Sequence, residues 1–142
     1  MQTTSSDDMD RRRADRYQWL RFESQVKVRR SLFKKEWVSV VPFDFSRYGM
    51  GIQTDEQFEI GQDVCLSLEL VNDSGEIGVP ELMGLVRYKE KHHSRFNYGV
   101  EFVFKSSAEK YAAEENLIRI EVALRKFENE RCREQAEVEV SR

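Results

Sequence analysis

The apolar positions of this chain repeat with two different periods, and the change falls near residue 105. Before it, short runs alternate apolar and polar side chains. Val26 and Val28 stand among charged neighbours, and Trp37-Val38-Ser39-Val40-Val41 is closed by Pro42. Val64, Leu66, Leu68 and Leu70 form the clearest run, with Ser67 and Glu69 facing the other way. Leu82–Tyr88 and Tyr98–Phe104 follow, the last with Val100, Phe102 and Phe104 on one face. A period of two turns one face of each run towards a core, so these segments are predicted strands. Gly61, Asn72-Asp73-Ser74-Gly75 and His92-His93-Ser94 fall between runs, where turns are expected. Several short strands joined this way point to an antiparallel barrel or sandwich.

After Lys105 the period lengthens. Ser106 with Glu109 three residues later has the pattern of a capping box. Tyr111, Leu117, Ile118, Ile120, Leu124 and Phe127 then form an apolar stripe, with three- and four-residue steps from Leu117 through Ile120 and Leu124 to Phe127, which predicts a helix lying across the mouth of the barrel. Leu117, Ile120, Leu124 and Phe127 also have coiled-coil spacing, but for less than two heptads. A monomer, or a weak dimer through the C-terminal half of this helix, is expected. The polar stretches 1–10 and 129–142 are expected to be a disordered arm and a frayed tail, leaving one domain over residues 11–128.

Composition narrows the function classes. A chain of 142 residues is large enough to bury a core without disulfides or a metal. Cys65 and Cys132 are far apart and have no CxxC partner, so neither a disulfide framework nor a zinc site is readable. No apolar run is long enough for a leader or a membrane span, so a cytoplasmic protein without membrane insertion is expected. His92-His93 lacks partners at metal-ligand spacing, and no nucleophile–base pattern or phosphate-cradling glycine loop appears. No catalysis, metal or cofactor is expected.

The net charge of −3 argues against a general nucleic-acid binder and makes that reading a minor alternative. It hides a local excess, however. Residues 11–30 carry eight Arg or Lys against only Asp15 and Glu23. At the head of this segment, Arg11-Arg12-Arg13-Ala14-Asp15-Arg16 contains an RxxxR spacing at Arg12 and Arg16. Arginine forks grip phosphate oxygens bidentately, fit the O6 and N7 acceptors of guanine, and stack on bases. The second motif, Asp44-Phe45-Ser46-Arg47-Tyr48-Gly49, is a DxSxxG pattern at the junction of two strand candidates. Asp44 can accept from the N1–H and N2–H₂ of guanine, and Ser46 supplies a hydroxyl beside it. Gly49 permits a positive φ or a close approach. Each motif alone is weak, since basic termini and Asp/Ser/Gly turns are common for local reasons.

Together, in this order, and with Tyr98-Gly99-Val100-Glu101-Phe102 ahead of a C-terminal helix, they resemble the PilZ family. The resemblance covers roughly residues 11–127. It implies a mainly β fold, a six-stranded antiparallel β-barrel with a C-terminal α-helix over one end. It also implies binding of the bacterial second messenger cyclic di-GMP between the arginine arm and the turn. Carried onto this sequence, Arg12 and Arg16 would hold phosphates and guanine faces, while Asp44, Ser46 and Gly49 would cradle a guanine. Arg11 precedes the RxxxR spacing as in members that take two intercalated molecules, and Arg13 is a possible accessory. Tyr48 departs from the small residue common there. The tryptophan that some members stack on the ligand is not evident, and Arg87 is the candidate to replace it. The implied output is regulation of an unidentified downstream protein, in processes such as motility or biofilm formation. A PilZ-type adaptor that has lost its ligand is the alternative.

Overall fold

Six strands and one helix follow the two periods of the sequence in a computed structural model that describes residues 19–140, with side chains to Cys132. The strands are β1 (Leu20–Arg29), β2 (Lys35–Ser46), β3 (Gly49–Thr54), β4 (Asp63–Asn72), β5 (Gly75–His92) and β6 (Arg95–Phe102). The helix α1 spans Ser107–Val140, continuing into the segment read from sequence as a polar tail. The sheet closes in the order β1-β2-β3-β6-β5-β4, with every pairing antiparallel, which is the expected six-stranded barrel.

Alternation decides what fills it. Val26, Val40, Ile52, Leu66, Leu68, Leu70, Val86, Tyr98 and Val100 turn inwards and are buried, while their neighbours face out. Closure leaves no free sheet edge along most of the barrel. One end is plugged by Phe58, whose N–H donates to the Tyr98 hydroxyl at 2.9 Å. That hydroxyl in turn donates to the Glu56 carbonyl at 2.7 Å. The opposite end is covered by α1, with Leu117 and Ile120 buried against the core. Ser106 accepts the Glu109 N–H at 3.1 Å, and the Glu109 carboxylate accepts from Lys105 N–H, so the capping pair starts the helix as its spacing predicted.

The Tyr98 hydroxyl is the polar centre of the first plug. Tyr98→Phe keeps the ring but strands a buried N–H and removes a donor from a carbonyl. The expected cost is about 1–3 kcal/mol, read as a lower midpoint in urea with an unchanged slope.

Pro42 does not close β2, which continues to Ser46. The β1–β2 ladder ends at Val40, so Pro42 has a ladder partner only on the β3 side, opposite Ile52, and its missing N–H disrupts no second ladder. β5 is also longer than the Leu82–Tyr88 run. Its register shifts opposite Leu66/Leu68, where Pro80 and Glu81 stand, and again between Val86 and Tyr88. Such extra residues interrupt strict alternation and hide the strand's true length from a period-two reading.

Candidate functional site

The DxSxxG motif straddles the β2–β3 turn, at the barrel end that carries α1. Between the pairs Phe43↔Gly51 and Ser46↔Gly49, β2 spends two residues, Asp44 and Phe45, against one on β3. This bulge puts Asp44 in the left-handed region, φ 48°, a conformation that short acidic side chains tolerate better than most. It leaves Asp44 exposed and turns Phe45 inwards, 5.3 Å from the Phe22 ring and 5.9 Å from Phe102. The Ser46 hydroxyl accepts from the Tyr48 N–H at 3.2 Å and donates to the Gly49 carbonyl at 3.4 Å, so it holds the turn together.

Gly49 has no positive φ; among the described non-glycine residues of the motif that conformation belongs to Asp44. A Cβ at Gly49 would instead collide with the Val100 carbonyl oxygen. Glycine is needed here so that β3 can close on β6.

Asp44, Ser46 and Gly49 thus share the bulged β2–β3 turn. Arg11, Arg12, Arg13 and Arg16 lie outside the described residues. The chain is followed from Trp19, and β1 begins at Leu20 beside Asn72, at the same barrel end as the turn. The Phe22–Phe45 contact fixes the start of β1 next to the motif.

Arg47, a variable position of the motif, carries a contact that the sequence did not announce. Its side chain donates through Nε and Nη2 to Glu121 Oε1, at 3.1 and 2.8 Å. Its backbone N–H donates to Glu121 Oε2 at 2.7 Å. Glu121 is only 3% exposed, on the face of α1 that covers the barrel. The readable signal was a carboxylate four residues after Leu117 and three before Leu124, on the apolar stripe; its partner was not readable. The Arg47 guanidinium, then its N–H, hold the Glu121 carboxyl below the ordinary value near 4.5. A depressed carboxyl contributes stability above its unfolded pKa and loses it as pH falls through the folded value. Glu121→Gln should therefore flatten the acid limb of a melting-temperature profile below about pH 5. At neutral pH it should cost about 1–3 kcal/mol, nearer the lower figure because Arg47 is partly solvated.

Arg87 is the extra residue of the second β5 bulge, and its guanidinium donates to Glu101 at 3.0 Å. The bulge sets Tyr88, not Arg87, over Gly99, whose Cβ position lies 3.1 Å from Tyr88 Cβ. The register then aligns Phe43, Gly51, Gly99 and Tyr88 across four strands. The Phe43 ring covers Gly51, so two partly exposed aromatics flank a glycine floor on the outer wall beside Asp44. Gln53 donates to Asn97 at 3.0 Å in the next row. Flat aromatic faces over glycine suit stacking of a planar ring system. Period-two reading included Tyr88 but stopped its second run at Pro42, one residue short of Phe43, and had no means to place the two in one row. A cleft of about 200 Å³ opens on the other side of the turn, between Arg47, Tyr48, Phe104 and the first turns of α1 at Lys110 and Glu114.

The described residues thus form a closed antiparallel barrel with a helical lid, whose outer wall carries an acidic bulged turn beside an aromatic platform. The family model for the PilZ domain matches residues 10–120, and the chain belongs to the PilZ family. PilZ domains are cyclic di-GMP receptors rather than enzymes. The matched range includes the arginine cluster as well as the turn. No curated protein matches the chain.

Proposed function

We propose that this protein is a cyclic di-GMP receptor in which the N-terminal arginine arm closes over the bulged turn. The observation that carries this reading is the Phe22–Phe45 contact, which starts β1 beside Asp44. Arg16 stands four positions before Leu20, an extended reach of about 14 Å, enough to bring a guanidinium over the turn. Asp44, exposed and acceptor-only when ionised, takes the N1–H and N2–H₂ of one guanine. Arg12 and Arg16 hold phosphates and the O6/N7 edge, with Arg13 as an accessory. Arg11 favours two intercalated ligand molecules. Phe43 and Tyr88 offer the stacking surface for which sequence alone suggested Arg87.

Ordering six arm residues costs roughly 6–12 kcal/mol of backbone entropy. Several bidentate arginine contacts of about 1–3 kcal/mol each offset it, so ligand acts as a switch. The ordered arm remakes a surface for a downstream protein, with the Arg47–Glu121 pair joining the turn to α1. The protein works without catalysis and in the cytoplasm.

Calorimetric titration tests this reading. Cyclic di-GMP should bind at micromolar levels or below, with two molecules per chain, and protect the arm from protease. Arg16→Ala should weaken binding by about ten- to a hundredfold, the worth of one bidentate contact. Absence of binding at tens of micromolar, or an Arg16→Ala variant equal to the parent, overturns it.

A further inference from the structure

At the barrel end opposite the motif, the β1–β2 hairpin runs on past the ladders that join it to its neighbours. β1 pairs with β4 only as far as Val26, and β2 pairs with β3 only from Val41. Beyond those positions the two strands pair with each other alone, up to Arg29↔Lys35. The result is a two-stranded arm projecting past the rim. At its tip Leu32 and Phe33 are 72% and 95% exposed.

The exposure belongs to a formed turn. Arg30 N–H donates to the Lys34 carbonyl at 2.8 Å, and the Arg29 guanidinium donates to the Leu32 carbonyl at 3.1 Å. Arg30 further ties the arm to the β3–β4 loop through Glu56 at 2.8 Å. Two adjacent apolar side chains are thus held out in water at a projecting tip.

The charges around them define what they fit. Arg29, Lys34 and Lys35 flank the tip and have no carboxylate partner among the described residues. The nearby acids of the β3–β4 loop are already engaged, Asp55 with Arg95, Glu56 with Arg30 and Glu59 with Lys89. An apolar tip with cations one to three residues behind it matches an anionic bilayer surface in depth. Side chains at the tip reach the headgroup–acyl boundary, and the cations lie about 3–10 Å further out, level with lipid phosphates. A protein groove would bury the tip equally well, but the collar of unpaired cations favours an anionic surface over an apolar one.

We propose that the β1–β2 hairpin is a peripheral anchor that seats this protein on anionic lipid, with Leu32 and Phe33 in the headgroup layer and Arg29, Lys34 and Lys35 on phosphates. The contact is peripheral, since no described helix is long and apolar enough to cross a membrane. β2 is 12 residues long, about 36 Å, so the seated protein presents its motif turn and α1 away from the bilayer.

The full chain is tested by sedimentation with phosphatidylcholine vesicles, with and without 30% phosphatidylglycerol. Binding should require the anionic lipid and weaken with salt. Leu32→Ser/Phe33→Ser and Lys34→Glu/Lys35→Glu should each lower the vesicle-bound fraction by about fivefold or more. Both variants should keep the parent's melting temperature and its response to cyclic di-GMP, which separates this result from the ligand reading. A Phe33→Trp variant should gain blue-shifted emission on anionic vesicles beyond the parent's own change. The proposal is overturned by no binding to anionic vesicles. It is equally overturned by binding that survives both hairpin variants and disappears with Arg11→Ser/Arg12→Ser/Arg13→Ser, which would assign the contact to the N-terminal arm.

Discussion

Asp44→Gly should lose cyclic di-GMP and keep its fold. In the proposed complex the carboxylate offers paired acceptors to one guanine edge, and hydrogen bonds to a charged group contribute about 1.5–3 kcal/mol each. Since the two are not additive, the expected fall in affinity is about a hundredfold. The backbone argues the other way. At φ 48° Asp44 already sits where a Cβ is disfavoured, and glycine relieves that conflict. The melting temperature should therefore stay level or rise slightly, although glycine adds freedom to the unfolded chain. Asp44→Ala confounds the two effects, because it removes the acceptors and keeps the strain. Calorimetry and thermal melts on the glycine variant separate them. Parent-like affinity would remove Asp44 from the site, and a large drop in melting temperature would mean that the carboxylate serves the turn.

Gly49→Ala should do the reverse and destabilise first. The new methyl meets the Val100 carbonyl oxygen, which is backbone in the β3–β6 ladder and cannot swing aside. Relief requires opening the pair Gly49↔Glu101, next to the turn that Ser46 closes. Overpacking of this kind costs about 3 kcal/mol, or roughly 10 °C in melting temperature for a domain of this size. Ligand affinity should fall with it, because the turn is displaced, but a second-site change that restores stability should recover part of the binding. A Gly49→Ala protein that melts like the parent would show that the strands part at little cost.

The two variants probe residues of one motif that the sequence treats alike and the fold treats differently. In the DxSxxG pattern, glycine was expected to supply either a positive φ or room for a ligand. The left-handed residue is Asp44, and Gly49 makes room for another strand. A motif names residue types at a spacing, whereas a bulge assigns each its conformation. Glu121 is similar. Its place on an apolar stripe was visible, but a partner 74 residues away was not.

Much was legible locally. Period-two runs around Val26, Leu66 and Val100 named the inward faces, and those around Val40 and Val86 named strands. The change of period at Lys105 named the helix, and Ser106 with Glu109 its start. β3 was nearly silent because Gly49 and Gly51 occupy its outer face, where glycine lowers the strand signal. These features were readable because each depends on neighbours within a few residues. Cross-strand rows, bulge positions and projection of the β1–β2 arm depend on register between segments far apart in sequence. No local pattern records the alignment of Phe43 with Tyr88, and only the register of β2, β3, β6 and β5 puts them on one wall.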